Sequence, residues 1–139
     1  MIRKIVLAHE GSPAGEPALL NVEHLARSEN AEVIVVHVFD VPARYLATDA
    51  YSELHAGFEK ASWEVVDDAV QELQKAGASA RGEVREGVAA HGILEIAETE
   101  SASLIVLGTR GPSSAAELLL GSTSTEVLRH ARCPVLVVP

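Results

Sequence analysis

Aromatic residues, cysteine and long apolar runs are all scarce in this sequence of 139 residues. Phe, Trp and Tyr together make up 4% of it, so the core must be built from Val, Leu, Ile and Ala, which suits an α/β protein. The single cysteine, Cys133, excludes an intramolecular disulfide. No window approaches the roughly 20 apolar residues of a membrane span, and the first residues lack the pattern of a signal peptide. We therefore expect a cytoplasmic protein.

Basic residues are outnumbered, since 11 Lys and Arg stand against 20 Asp and Glu and give a formal net charge of -9. A surface this acidic repels the phosphate backbone of nucleic acids and the head groups of an anionic membrane. We therefore expect neither as a partner. A local anion site can still exist, because backbone N–H groups at the start of a helix attract anions without any net positive charge.

The motifs of common catalytic and metal sites are also missing. No histidine stands beside Cys, His or a carboxylate at a spacing typical of zinc; the six are His9, His24, His37, His55, His91 and His130. There is no Gly-x-Ser-x-Gly elbow, and Cys133 has no evident base beside it, so we interpret it as a structural thiol. Because the Gly-x₄-Gly-Lys-[Ser/Thr] loop is absent too, we predict no metal site, no catalytic residue and at most a slow ATPase.

What the sequence does contain is a set of short, β-branched-rich apolar runs. Four of them are nearly continuous and span residues 5–8, 33–38, 104–107 and 135–138. Runs that do not alternate with polar residues are typical of strands buried on both faces, as in a parallel sheet. A fifth run, residues 80–85, alternates and predicts an edge strand with one solvated face.

Helical patterns separate these runs. Apolar residues recur at helical spacing in residues 13–29, 52–75, 89–100 and 122–129. The order β-α-β-α-β-α-β-α-β predicts an α/β, Rossmann-like fold in one domain, 1–139: a five-stranded parallel sheet with helices on both faces. We interpret residues 40–51 as a mobile loop. Ligands of such sheets bind at the carboxyl ends of the strands, near the reversal of strand order, which the first and fourth strands flank.

Glycines cluster after the fourth predicted strand. The chain reads Gly-Thr-Arg-Gly at 108–111, then nine residues, then Gly-Ser-Thr-Ser at 121–124, where a helix opens. Glycines allow close approach to a ligand, the helix start attracts phosphate, and the hydroxyls can donate hydrogen bonds. Glycines after a strand and before a helix are common in α/β proteins, so the spacing alone leaves a phosphate site and an ordinary turn equally open.

This Gly-x₂-Gly-x₉-Gly-Ser pattern resembles the ATP-binding signature of the universal stress protein family. Residues 4–12, Lys-Ile-Val-Leu-Ala-His-Glu-Gly-Ser, are similar to the family's first strand and turn. Val-Val-His-Val at 35–38 and the ending at 127–138 also resemble it, so the likeness covers essentially the whole chain. It implies an adenine nucleotide alpha hydrolase-like fold, bound ATP, with or without Mg²⁺, and homodimers in which the final strands of two subunits pair.

The resemblance also implies roles for particular residues. Those that would hold ribose and phosphates are Gly108, Gly111, Gly121, Ser122, Thr123 and Ser124. Those at the end of the first strand, near adenosine, would be Ala8, His9 and Glu10. Val38 would contact adenine, and Leu107 and Arg110 would also line the site. We interpret His37, which lies inside a core strand, as a hydrogen-bonded packing residue.

One departure from the family pattern concerns Glu10, where the family usually has aspartate. The extra methylene displaces the carboxylate by about an ångström, enough to weaken a short hydrogen bond. Two functions follow: an ATP-binding regulatory module in stress response, or a protein-interaction module of the same fold that no longer binds nucleotide. A phosphoacceptor receiver domain is disfavoured because Cys133 precedes Pro134 where a lysine is needed. A dinucleotide-binding domain lacks its Gly-x-Gly-x-x-Gly after the first strand.

Overall fold

The five predicted strands form one parallel sheet in the computed structural model, which describes residues 1–108 and 121–139. The strands are β1 Lys4–Ala8, β2 Glu32–Phe39, β3 Ser79–Glu86, β4 Leu104–Gly108 and β5 Val135–Val138. Their order across the sheet is β3-β2-β1-β4-β5, and every neighbouring pair is parallel. The predicted α/β fold is confirmed, and the strand order reverses between β1 and β4, as expected.

Four helices connect the strands within the described residues: α1 Glu16–Glu29, α2 Tyr51–Lys75, α3 Ala89–Thr99 and α4 Ser122–His130. Helix α1 begins three residues later than predicted, because a 3₁₀ turn, Pro13–Gly15, comes first and Pro17 cannot donate a backbone hydrogen bond. The segment interpreted as a mobile loop contains a second 3₁₀ turn, Ala43–Tyr45, and buries Val41. Within residues 1–108 and 121–139, no helix is long and apolar enough to cross a membrane.

Both faces of the central strands are buried. Helices α1 and α2 cover one face, whose buried strand residues are Ile5, Leu7, Val33, Val35, Leu104 and Val106. Helices α3 and α4 cover the other, whose buried strand residues are Val6, Ile34, Val36, Ile105 and Leu107. Alternate residues of a strand point to opposite faces, so two covered faces require the nearly continuous apolar runs that the sequence shows.

Strand β3 forms a charged edge of the sheet. Its residues Arg81, Glu83 and Arg85 lie opposite Ile34, Val36 and Val38 of β2, on the α3/α4 face. Arg81 is paired with Glu83 at 2.9 Å and with Glu100 at 2.6 Å, and Arg85 with Glu83 at 2.8 Å. The predicted edge strand with one solvated face is confirmed.

The opposite face of β3 is closed by helix α2. A Cβ atom added at Gly82 would overlap the side chain of Val66 on that helix. Only glycine lets α2 approach this strand so closely. The edge strand is therefore charged on one face and tightly covered on the other.

Candidate functional site

The carboxyl ends of β1 and β4 meet at the point where the strand order reverses. Strand β1 ends at Ala8 and β4 ends at Gly108. The described chain resumes at Gly121, directly before α4. Two of the predicted site residues, Arg110 and Gly111, lie outside the described residues. In sheets of this kind the crevice beside these two strand ends is where ligands bind.

A hydrogen bond links the start of α4 to the end of β4. The buried hydroxyl of Ser124 donates to the backbone oxygen of Gly108 over 3.3 Å. Gly108 and the segment 121–124, which the motif predicted as parts of one site, are therefore adjacent. The hydroxyl of Ser124 is used in this contact, whereas Ser122 is exposed and Thr123 is half-exposed.

Gly121 occupies the position before the first helical residue of α4, in an extended conformation with φ of -63° and ψ of 165°. Among the described residues, no side chain caps this helix start. The first N–H groups of an α-helix have no partner within the helix, and the helix dipole makes this end positive. An uncapped start next to Gly108 can therefore receive an anionic group by backbone hydrogen bonds alone.

Ala8, Val38 and Leu107 lie on the α3/α4 face of the sheet. Leu107 is buried beneath the surface of the site. Ala8 and Val38 are half-buried at the border of the site. Gly92 of α3 lies directly over Val38, and an added Cβ would come within 2.7 Å of a Val38 methyl group. These apolar surfaces can contact one face of a flat, aromatic ligand.

The His9 ring lies apart from these side chains. The backbone N–H of His9 donates to the oxygen of Val36 at 2.9 Å. Its ring, however, packs against the 3₁₀ turn at Gly15, where an added Cβ would lie 3.1 Å from Nδ1. The ring is only 9% exposed, and Nδ1 has no hydrogen-bond partner among the described residues. Burial lowers the pKa of His9, with an opposing effect from Glu16 and a smaller lowering from His37.

His37 supports the end of β1 from the neighbouring strand. Its Nδ1 lies 2.8 Å from the backbone oxygen of His9. A carbonyl oxygen can only accept, so Nδ1 carries the proton and donates it. This bond fixes the chain direction just before Glu10 and agrees with the predicted hydrogen-bonded packing role of His37.

Glu10 comes directly after His9 in the chain and lies at the edge of the site. The residue is exposed, yet partial burial of its carboxyl group raises the pKa, while nearby His37 lowers it. Gly11 then turns the chain with a φ of +84°, and an added Cβ there would come within 2.7 Å of Val65 on α2. The turn after β1 is thus held against α2, and a carboxylate placed here can accept hydrogen bonds from a ligand's hydroxyl or amino groups.

Sequence reasoning missed Gly92 and Gly15. Both owe their importance to a close neighbour in space, Val38 for Gly92 and the His9 ring for Gly15. A glycine inside a helical pattern, as at Gly92, costs helix stability and so often has a packing reason. That signal was present in the sequence, whereas nothing in it marked the contact between Gly15 and His9.

Comparison with known proteins gives one consistent result. The profile of the universal stress protein family matches residues 1–139. Universal stress protein MJ0531 of Methanocaldococcus jannaschii is 33% identical over 150 aligned positions, which cover 99% of this chain and 82% of that protein. The solved structure of protein MJ0577 superposes with a TM-score of 0.88 and 29% identity, covering 99% of this chain and 96% of that one.

Two further solved structures of the fold hold adenine nucleotides. A universal stress protein from Archaeoglobus fulgidus in complex with dAMP superposes with a TM-score of 0.71 and 24% identity, covering the whole of both chains. A universal stress protein in complex with cAMP gives 0.73 and 23%, covering 99% of this chain and 96% of that one. At these identities the likeness to the two complexes concerns the fold alone.

Proposed function

The chain belongs to the universal stress protein family, and on that premise we propose that it binds ATP or a related adenine nucleotide as a regulatory module in stress response. The observation that carries the proposal is the bond between Ser124 and Gly108. It joins an uncapped helix start to the strand end at the reversal of strand order. That combination supplies backbone donors where a phosphate can reach them.

In this proposal the phosphates bind at the start of α4. The first-turn N–H groups and the hydroxyls of Ser122 and Thr123 donate hydrogen bonds to phosphate oxygens. Arg110 and Gly111 complete the phosphate site from the adjoining segment. Mg²⁺ would enter with the nucleotide and neutralise part of the phosphate charge. The formal net charge of -9 does not oppose this, because backbone dipoles supply the attraction locally.

The base and ribose lie across the ends of β1 and β2. Adenine packs on Val38 and Ala8, whose side chains are half-buried on the α3/α4 face. Glu10 accepts hydrogen bonds from the ribose hydroxyls. We propose binding rather than rapid turnover, because the sequence lacks the phosphate-loop lysine that neutralises charge during phosphoryl transfer.

We also propose that two chains pair through β5, in the cytoplasm. Among the described strands β5 has a single neighbour, β4. Its residues Val135, Leu136 and Val137 are apolar but only half-buried. An apolar edge strand of this kind needs a cover, and a two-fold related copy supplies one.

Calorimetric titration of nucleotide-free protein with ATP and Mg²⁺ tests the nucleotide proposal. We expect saturable binding that Gly111→Val abolishes, because the valine side chain would occupy space next to the phosphates. Gly57→Val is the matched control, since nothing lies within 4 Å of a Cβ added there and Gly57 belongs to α2, which covers the opposite face of the sheet from α3 and α4. Equal binding by both variants would contradict the proposed glycine-loop site.

The second candidate is a protein-interaction module without nucleotide, and Glu10 is the residue that favours it. Under this alternative the native protein shows no heat of ATP binding, whereas Glu10→Asp gains it. Under the first proposal both proteins bind, and Glu10→Asp binds more tightly because its shorter side chain restores the hydrogen-bond distance.

A further inference from the structure

A cleft lies at the amino ends of the strands, whereas the proposed nucleotide site lies at their carboxyl ends. It has a volume of about 260 Å³ and opens between the C-terminal half of α3, the end of α4 and the starts of β4 and β5. Its floor is apolar and consists of Leu94, Ala97, Ala102 and Ile105. Ile105 is completely buried, so the cleft reaches the core.

The mouth of the cleft carries charged groups. The polar residues of its lining include Arg132, Glu98 and His130. Arg132 Nη1 lies 3.3 Å from Glu98 Oε1, but the two side chains are 83% and 65% exposed. An ion pair this exposed contributes little to the stability of the fold. Arg132 can therefore exchange Glu98 for another carboxylate at small cost.

Two features reduce the negative charge that an anion would meet inside. The last carbonyl groups of α3 are already satisfied, because Ala102 N–H donates to Ala97 O at 2.8 Å and Ser101 N–H donates to Glu98 O at 3.1 Å. Burial raises the pKa of the Cys133 thiol in the cleft wall, so this group stays neutral. In a chain with a net charge of -9, this mouth carries a guanidinium, Arg132, whose exposed partner Glu98 can be replaced by a ligand carboxylate.

We propose that this cleft binds a small aliphatic carboxylate, with its hydrocarbon chain on Leu94, Ala97 and Ile105 and its carboxylate on Arg132. The volume sets the size of the ligand. A cavity of roughly 150 Å³ holds benzene, so this cleft accommodates a ligand of about ten non-hydrogen atoms. Fatty acids of up to about eight carbons fall within that limit. The ligand class follows from an apolar floor beneath a single exchangeable guanidinium.

Titration followed in ¹H–¹⁵N NMR spectra tests this assignment, with hexanoate as the probe and hexan-1-ol and hexylamine as matched neutral and cationic analogues. We expect saturable shifts at Ala97, Ala102 and Cys133 with hexanoate, weaker ones with the alcohol and the weakest with the amine. Shifts that do not saturate, or that centre on Gly108 and α4's first turn instead, would overturn the proposal.

Two variants separate the head-group contact from general charge effects. Arg132→Gln should weaken hexanoate binding about fivefold, the loss expected for one exposed ion pair. Arg129→Gln removes the same charge from the same end of α4 but does not line the cleft, so its affinity should stay within about twofold. The spectra also report whether each variant is folded. Equal binding of hexanoate and hexan-1-ol, together with no effect of Arg132→Gln, would show that no carboxylate is recognised.

Discussion

Gly92 and Gly57 both lie inside helices, yet their surroundings differ. A Cβ at Gly92 meets Val38 at 2.7 Å, whereas a Cβ at Gly57 meets nothing within 4 Å. We expect Gly57→Ala to raise the free energy of unfolding by about 0.5–1 kcal/mol, the gain in helix propensity. Gly92→Ala gains the same propensity but forces β-branched Val38 to move, so we expect a net loss of about 1 kcal/mol. Urea unfolding of the two variants measures this, and changes of the same sign would contradict it.

The buried ring of His9 predicts a pH dependence of stability. Its pKa in the folded protein lies below the ordinary value of 6.5, so the unfolded chain binds more protons as the pH falls. His9 therefore destabilises the fold as the pH drops through about 6.5, by at most about 1.4 kcal/mol per pH unit, and has no such effect at higher pH.

Unfolding free energies measured at pH 7.5 and 5.5 test this prediction. His9→Asn keeps a neutral polar side chain, so it should remove part of the loss seen in the native protein. His24→Asn, at an exposed position on α1, should leave that loss unchanged. If His9→Asn lost as much unfolding free energy between pH 7.5 and 5.5 as the native protein, His9 would not be the cause of the loss.

At the scale of elements, the attachment of α4 to β4 is the feature to test. Ser124→Ala removes the hydrogen bond to Gly108. We expect it to lower stability by about 1 kcal/mol, to speed amide exchange in α4 and to weaken ATP binding severalfold. Thr125→Ala is the control, because among the described residues that exposed hydroxyl donates only to Gly121 O within the same turn, at 3.0 Å. If the two variants bound ATP with equal affinity, the hydrogen bond between Ser124 and Gly108 would not contribute to nucleotide binding.

The elements themselves were largely predictable from the sequence, because two buried faces impose runs that are apolar at consecutive positions. The start of α1 was not, since Pro13 and Pro17 lie close together and local pattern does not decide which begins the helix. At the site, the adjacency of Gly108 and residues 121–124 agrees with what the family resemblance implies, whereas the glycine spacing alone left an ordinary turn equally open. The His9 ring and Gly92 could not be placed, because their contacts depend on how α1 and α3 pack on the sheet.

On the scale of the whole molecule, the two edges of the sheet differ in character. Strand β3 presents Arg81, Glu83 and Arg85 on its open face, and charge of this kind opposes pairing with another strand. Strand β5 presents half-buried Val135, Leu136 and Val137. Assembly is therefore expected at β5.

Sedimentation equilibrium tests the expected assembly. We expect two chains for the native protein and one for Val135→Lys, because a buried lysine at the paired edge would lack a partner. Leu46→Lys is the control, since Leu46 is an exposed apolar residue that follows β2, and β1 and β4 separate β2 from β5 in the sheet. Circular dichroism shows whether each variant is folded. A folded Val135→Lys protein that still sediments as two chains would place the interface elsewhere.

The ion pairs along β3 also limit how large any assembly can grow. A filament needs two adhesive ends on every subunit, so that each new arrival exposes a fresh one. With Arg81, Glu83 and Arg85 engaged in charged contacts, β3 does not provide a second adhesive end. We therefore expect strand pairing through β5 to stop at two chains even in concentrated solution.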